Sequence, residues 1–230
     1  MDIWEANNAA TAYTPHPCNV TGPYACTGGS CGSGEDMKYK GVCDKDGCDY
    51  NPYRMGSRSF YGPNATVNTN KKLTVVTQFL THDNTSTGNL VEIRRLYVQD
   101  GKVIENAKHS IPGMSATNSL SDKTCQEARK ALGGVDAFTN QGGMVGMGKA
   151  VGRGLVLAMS IWDDGGSGML WLDGTFPKDG DPTKPGIARG PCAANSGDLA
   201  MIQEKFPESK VVFSNIKSGD IGTTFTGTRA

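Results

Sequence analysis

Five of the seven cysteines, at 18, 26, 31, 43 and 48, fall within a 31-residue window, and the other two stand at 125 and 192. A reducing cytosol rarely supports that density except at metal sites, whereas an oxidising compartment ties such cysteines into crosslinks, so the spacing points to a secreted chain. Prolines 15, 17, 23, 52 and 63 punctuate the same stretch, so little regular structure is expected from Met1 to about Gly62 beyond a first strand. A long irregular region in a compact domain is usually a functional loop region tied down by crosslinks. Three sequons, Asn19-Val-Thr, Asn64-Ala-Thr and Asn84-Thr-Ser, agree with secretion. The opening MDIWEANN lacks the charged and apolar regions of a signal peptide, and a secreted composition without one suggests a fragment. The cysteine spacing also admits a zinc reading, from Cys26-x4-Cys31, Cys43-x4-Cys48 and His16-x-Cys18.

At 230 residues the chain is long enough for one large domain with a buried core, and no repeat or low-complexity linker divides it. Lys+Arg 23 balance Asp+Glu 23 without a five-residue run of one sign, which argues against nucleic acid or an anionic membrane as partner and for a neutral one. No apolar stretch approaches the roughly 18 residues of a spanning helix. β-Branched and aromatic residues bounded by Gly, Asn, Asp or Pro predict strands at Lys72–Thr81, Leu90–Gln99, Gly154–Trp162, Met169–Asp173 and Lys210–Ile216. Asp100-Gly101 predicts a tight hairpin turn after the second of these. Helical composition is confined to about Asp122–Leu132, Met144–Val151 and Asp198–Lys205. Together these predict an all-β sandwich with short helical insertions.

MDIWEANN sets Asp2 and Glu5 beside Ile3 and Trp4. Strand side chains alternate, so residues three apart face opposite ways unless a bulge inserts one extra residue, and bulges favour active sites. Two carboxylates brought into one cleft repel, which raises the proton affinity of one until it can act as an acid near neutral pH. A solvated turn is the alternative for such a pair. A non-catalytic carbohydrate-binding sandwich competes at the level of function, but a pure binding protein has no reason to place two carboxylates in that strand.

MDIWEANN is followed in order by TPHPC, CDKDGCDYNPYR, SFYGPN, KKLTVVTQF, SIWDD, MLWLD, PGIARGPC and VVFSNIKSGDIG. This series resembles the catalytic domain of fungal-type glycoside hydrolase family 7, the cellobiohydrolases and endoglucanases that cut cellulose. The resemblance runs from Met1 to about Thr224 and covers the C-terminal half or so of the family's domain. It implies a jelly-roll (concanavalin A-like) sandwich, incomplete at its N-terminus over residues 1–230, whose concave sheet forms a cellulose-binding tunnel or cleft. The family motif reads E-x-D-x-x-E, so Asp2 matches the residue that tunes the nucleophile and Glu5 the acid/base, while the nucleophile falls just before Met1. Retaining chemistry needs two carboxyl groups about 5–5.5 Å apart, and the resemblance supplies only the second within this chain.

The resemblance also assigns binding roles. His16 reads on its own as the anchor of a Pro-flanked turn or as a neighbour that biases the protonation of Asp2 and Glu5, and by resemblance contacts substrate on the leaving-group side. Trp162 and Trp171 read first as core aromatics, and by resemblance are sugar platforms flanking the cleavage point. Asp46, Asp49, Arg54 and Arg189 match residues that bind the departing disaccharide or brace that site, although Arg54 by itself reads as a surface ion pair. Lys38 occupies an arginine position of the family, with a point charge in place of a flat fork. The GSGEDMKYKGV segment between Cys31 and Cys43 resembles the tunnel roof of the exo-acting members, whereas Gly165-Gly166 replaces bulky aromatics of some of them and implies a more open tunnel. Implied disulfides are Cys18–Cys43, Cys26–Cys31 and Cys48–Cys125, with Cys192 left over. The implied enzyme is secreted, monomeric and free of cofactor or metal, and acts on cellulose or another β-1,4-glucan with no nucleic-acid or membrane partner.

Overall fold

The hairpin that carries the carboxylates is built by β1 (Asp2–Ala6) and β2 (Thr11–Thr14), seen in a computed structural model that describes residues 1–229. Asn7 closes its turn, its Oδ1 accepting from the backbone N–H of Ala9 (2.8 Å) and Ala10 (3.0 Å). Asp2 pairs with Thr14 and Glu5 with Ala12, so three steps along β1 match two along β2. That extra residue is the bulge the Asp2–Glu5 spacing calls for.

After a parallel pair of two-residue strands, β3 (Tyr61–Gly62) and β4 (Val67–Asn68), the main sheet begins. Its strands β5 (Thr74–Thr81) and β6 (Leu90–Gln99) run antiparallel from Thr74↔Val98 to Thr81↔Leu90. The Asp100-Gly101 turn follows, both residues at positive φ (52° and 73°), and returns the chain as β7 (Lys102–Glu105). β8 (Ser119–Leu120) continues along the same edge of β6, and β9 (Thr228–Arg229) adds parallel to β7.

Helices occupy the connections. α1 (Asp122–Leu132) starts at Ser121, whose hydroxyl accepts from Thr124 N–H (3.2 Å). The short α2 (Ala137–Asn140) leads into α3 (Gly143–Gly152), which lays Met144 and Met147 into the core. α4 (Leu170–Asp173) and α5 (Leu199–Lys205) follow, the latter capped by Asp198. The larger core joins Tyr13, Tyr50, Ile93, Leu120, Phe138 and Met144 between the β1–β2 hairpin, one face of β6 and the helices. Val76, Leu96 and Val103 form a smaller cluster on the opposite face. Each fully buried apolar side chain contributes roughly 1.5–3 kcal/mol, so both faces of β6 are anchored and its register is fixed.

Three disulfides join Cys18 to Cys43, Cys26 to Cys31 and Cys48 to Cys125, while Cys192 has no sulfur partner among the described residues. The five sulfurs of the zinc reading are therefore all held in disulfides, Cys48 with Cys125 and the other four with one another. Cys48–Cys125 closes the longest stretch, a separation of 77, and the chain-entropy relation gives about 4.5 kcal/mol for a loop of that size. Replacing both cysteines by alanine should lower the unfolding free energy by about that amount in denaturant titration, and non-reducing peptide mapping should recover these three pairs. A bridge from Cys192 to any of the other six would contradict the assignment.

Three strand expectations fail. Gly154–Trp162 and Lys210–Ile216 form no ladder among the described residues, and their side chains stand in solvent, with Val156 96% and Val212 81% exposed. β-Propensity is realised only against a neighbouring strand, and no described strand reaches either segment. Met169–Asp173 is helical: Asp164 gathers the N–H groups of Gly166 and Ser167, Met169 takes a positive φ of 61°, and α4 then buries Leu170 and Leu172. Trp171 thus sits on a helical turn instead of a strand.

Candidate active site

At the start of the bulge, Asp2 Oδ2 lies 2.8 Å from His16 Nε2, and the other ring nitrogen, Nδ1, lies 2.8 Å from the Asp44 carbonyl. A carbonyl only accepts, so Nδ1 carries a proton, and a carboxylate at Nε2 asks for a second one. The arrangement therefore suits an imidazolium between the two. Burial alone would raise Asp2 and lower His16, but their mutual hydrogen bond and charge prevail, holding the Asp2 carboxyl below its ordinary range and raising His16. Gly47, at φ 68°, packs against the ring: a Cβ there would stand 2.7 Å from His16 Cε1.

Glu5 has the opposite fate. Burial first, then the charge of Asp2 and more weakly that of Asp49, pushes its carboxyl up to about 7, with His16 and the Thr14 hydroxyl opposing. Two carboxylates on one strand are thus split by environment, one held ionised and one held protonated near neutrality. A half-buried carboxylic acid of that kind can hand a proton to a leaving oxygen and then take one from water.

Beside this pair, Asp49 lies between two guanidiniums, bound to Arg54 Nη1 and 3.8 Å from Arg189 Nη1. Burial would raise its carboxyl, yet Arg54 and then Arg189 hold it at about 2. The Arg54–Asp49 pair is mostly covered, its side chains 11% and 18% exposed, so the surface reading of Arg54 is corrected: its Nε also donates to the Gly186 carbonyl (3.3 Å). Arg189 lies with its guanidinium 5.3 Å from the Phe176 ring centre, and burial and the neighbouring Arg54 lower it to about 10. Lys38 Nζ reaches Asp46 Oδ2 at 3.0 Å, and the Tyr39 hydroxyl donates to the same oxygen (3.3 Å). Lys38 and Asp46 thus pair with each other, as do Arg54, Arg189 and Asp49.

Trp162 and Trp171 are stacked, centroids 6.2 Å apart and planes 21° from parallel. Trp171 Nε1 donates to Asp164 (3.1 Å), which fixes its ring, while Trp162 is more than half exposed. Such a paired indole surface presents the flat apolar face that stacks against a sugar ring.

Sequence reasoning passed over three supports. Asn51 donates to the carbonyls of Leu172 and Arg189 (2.8 Å each) and accepts from Tyr53 N–H (2.9 Å), so it ties α4 and Arg189 to the CDKDGCDYNPYR loop. Its Asn-Pro step is a turn signal that could have flagged it. Arg129 Nη2 holds the Gly47 carbonyl (2.7 Å), and Asp173 accepts from Asn7 Nδ2 (2.6 Å). Neither carries a local sequence signal, because both contacts are long-range.

The family model "Glycosyl hydrolase family 7" matches residues 1–225. Among solved structures, the chain is similar to a GH7 family cellobiohydrolase from Daphnia pulex (TM-score 0.85, 44% identity, 88% of this chain and 46% of that one). It is similar also to a cellobiohydrolase from Melanocarpus albomyces complexed with cellotetraose (TM-score 0.88, 37% identity, 98% and 50%). A Humicola insolens endocellulase, EGI, matches with TM-score 0.73 and 40% identity over 90% of this chain and 46% of that one. The chain therefore spans about half the length of these relatives. A family match over nearly its whole length, with an acidic pair split by environment on a bulged strand, places this chain in glycosyl hydrolase family 7.

Proposed function

We propose that this chain forms the C-terminal half of a jelly-roll catalytic domain that hydrolyses β-1,4-glucosidic bonds of cellulose with retention of configuration. The observation that carries it is Glu5, held protonated near neutrality on the strand where Asp2 is held ionised. In this reading Glu5 protonates the leaving oxygen, Asp2 tunes a nucleophile at the position before Met1, and the glycosyl-enzyme ester is released by water that Glu5 deprotonates. His16, Lys38, Asp46, Asp49, Arg54 and Arg189 line or brace the leaving-disaccharide side, and Trp162 with Trp171 offers the stacking surface. A β-glucan substrate is supported by the cellotetraose carried by the Melanocarpus albomyces relative. Secretion is supported by the three disulfides and by the exposure of Asn19, Asn64 and Asn84, the sequon asparagines.

Within the family we favour cellobiohydrolase-like action. The segment Gly32–Val42 is pinned at its base, Val42 N–H donating to Ser30 O (2.9 Å) and Lys38 pairing with Asp46, and TM-scores of 0.85 and 0.88 to the two cellobiohydrolases exceed the 0.73 to the endocellulase. An enclosed chain slides without leaving, so the full-length enzyme should release mainly cellobiose from cellulose while lowering carboxymethylcellulose viscosity slowly. Deleting Gly32–Val42 should speed the viscosity loss. Rapid viscosity loss with little cellobiose from the unaltered enzyme would establish endo action instead.

A further inference from the structure

Arg95, in the middle of β6, is fully buried at 0% exposure. Strand alternation sends its neighbour Arg94 to the other face, where it pairs with Glu92 (3.1 Å). Arg95 instead points under the β1–β2 hairpin, its guanidinium 4.7 Å from the ring centre of Tyr13 and 5.9 Å from that of Tyr97. It enters no ion pair among the described residues. A buried cation without a carboxylate is costly, even with aromatic faces to offset part of that cost, so its placement calls for a reason.

The reason is one backbone atom. Nη2 of Arg95 donates to the carbonyl of Ile3, while Nε and Nη1 have no partner. Ile3 lies inside the bulge, between Asp2 and Glu5. A bulge takes a residue out of the ladder and leaves its polar backbone groups to find other partners. Without a donor at the Ile3 carbonyl, β1 gains by slipping towards flat pairing, and a one-residue slip turns every following side chain to the other face. Asp2 and Glu5 would then part. The rings of Tyr13 on β2 and Tyr97 on β6 lie against the guanidinium, and the Tyr61 hydroxyl holds the far end of the hairpin through Asn7 O (3.1 Å).

We propose that Arg95 is a positioning residue for the acid/base: by holding the Ile3 carbonyl it keeps the bulge that turns Asp2 and Glu5 into one cleft. This rests on the role given to Glu5 above. The groups that face Glu5 are Asp2, His16, Asp49 and Thr14, so Arg95 acts through geometry, and relaxation of the bulge shows as a weaker influence of Asp2 on Glu5.

The test uses the full-length enzyme that contains this chain, with Arg95→Met, Arg95→Lys and, as control, Glu5→Gln. Turnover of an aryl β-cellobioside is measured per folded active site, as kcat, KM and the pH profile of kcat/KM. Displacing a catalytic group by about 1 Å costs on the order of 10²-fold, so Arg95→Met should lose about that much in kcat with KM nearly unchanged, and its alkaline limb should move to lower pH. Arg95→Lys, which keeps the charge without the fork, should fall by about tenfold and move the limb the same way. If Arg95→Met does not fold, Arg95→Lys decides alone. Folded variants with the original kcat and alkaline limb, altered only in melting temperature, would overturn the proposal. Full activity in Glu5→Gln would instead overturn the role of Glu5 itself.

Discussion

Glu5→Gln in the full-length enzyme should lower kcat/KM on cellotetraose by about 10³-fold, the middle of the range for loss of a general acid. Glutamine keeps the shape and a hydrogen-bond donor but has no proton to give to the leaving oxygen. The sign of the pH dependence follows from the same group. Glu5 is raised from 4.5 to about 7, so it is protonated below that value and loses its proton above it, and the unmodified enzyme should show an alkaline limb in kcat/KM near pH 7. Stability moves the same way: a carboxyl whose folded pKa is raised adds stability below about 4.5 that is lost as pH climbs to about 7. A substrate with a good leaving group, such as a dinitrophenyl cellobioside, needs little protonation, so the loss there should be much smaller in the bond-breaking step. Equal losses on both substrates would contradict the acid role.

The 230-residue polypeptide assayed by itself should show no turnover of an aryl β-cellobioside. Double displacement needs a second carboxylate free to attack about 5–5.5 Å from the acid. The carboxylates that Glu5 feels are Asp2 and Asp49; the first is engaged by His16 and the second is clamped by Arg54 and Arg189. The exposed apolar runs around Val156 and Val212 add a second obstacle, since unpaired strand-forming segments favour aggregation. The same polypeptide preceded by the sequence encoded upstream of it should recover activity. Comparable turnover in both would show that another residue of this chain serves as nucleophile, and that the motif has been misread.

Local signals carried the site further than the fold. The spacing of Asp2 and Glu5 demanded a bulge, and the register supplies one; Asp100-Gly101 demanded positive φ at both residues, and both have it. α1 lies where Ala, Leu, Glu and Lys concentrate after a serine cap. Gly154–Trp162 and Lys210–Ile216 read as strands because propensity registers side-chain fit to a pleated surface and is silent about which strand lies alongside. Phe213 marks the difference: it meets Trp4 edge-on at 6.3 Å, a packing contact with β1 that brings no ladder. The burial of the Arg54–Asp49 pair was hidden because the contacts that cover it come from Gly186 and Arg189, far along the chain. Arg95 was legible in principle, because once Arg94 pairs outward with Glu92, alternation commits Arg95 to the interior.

The role of Glu5 is tested most directly by the full-length Glu5→Ala enzyme given dinitrophenyl β-cellobioside and azide. With the acid/base removed, the activated leaving group still departs and the glycosyl-enzyme accumulates, its anomeric carbon open to a small anion from the face where Glu5 would have activated water. Azide should restore turnover and yield cellobiosyl azide of β configuration, assigned by the anomeric proton coupling. An α-azide would make Glu5 the nucleophile, and failure of azide to change the rate or the product would contradict its role as acid/base.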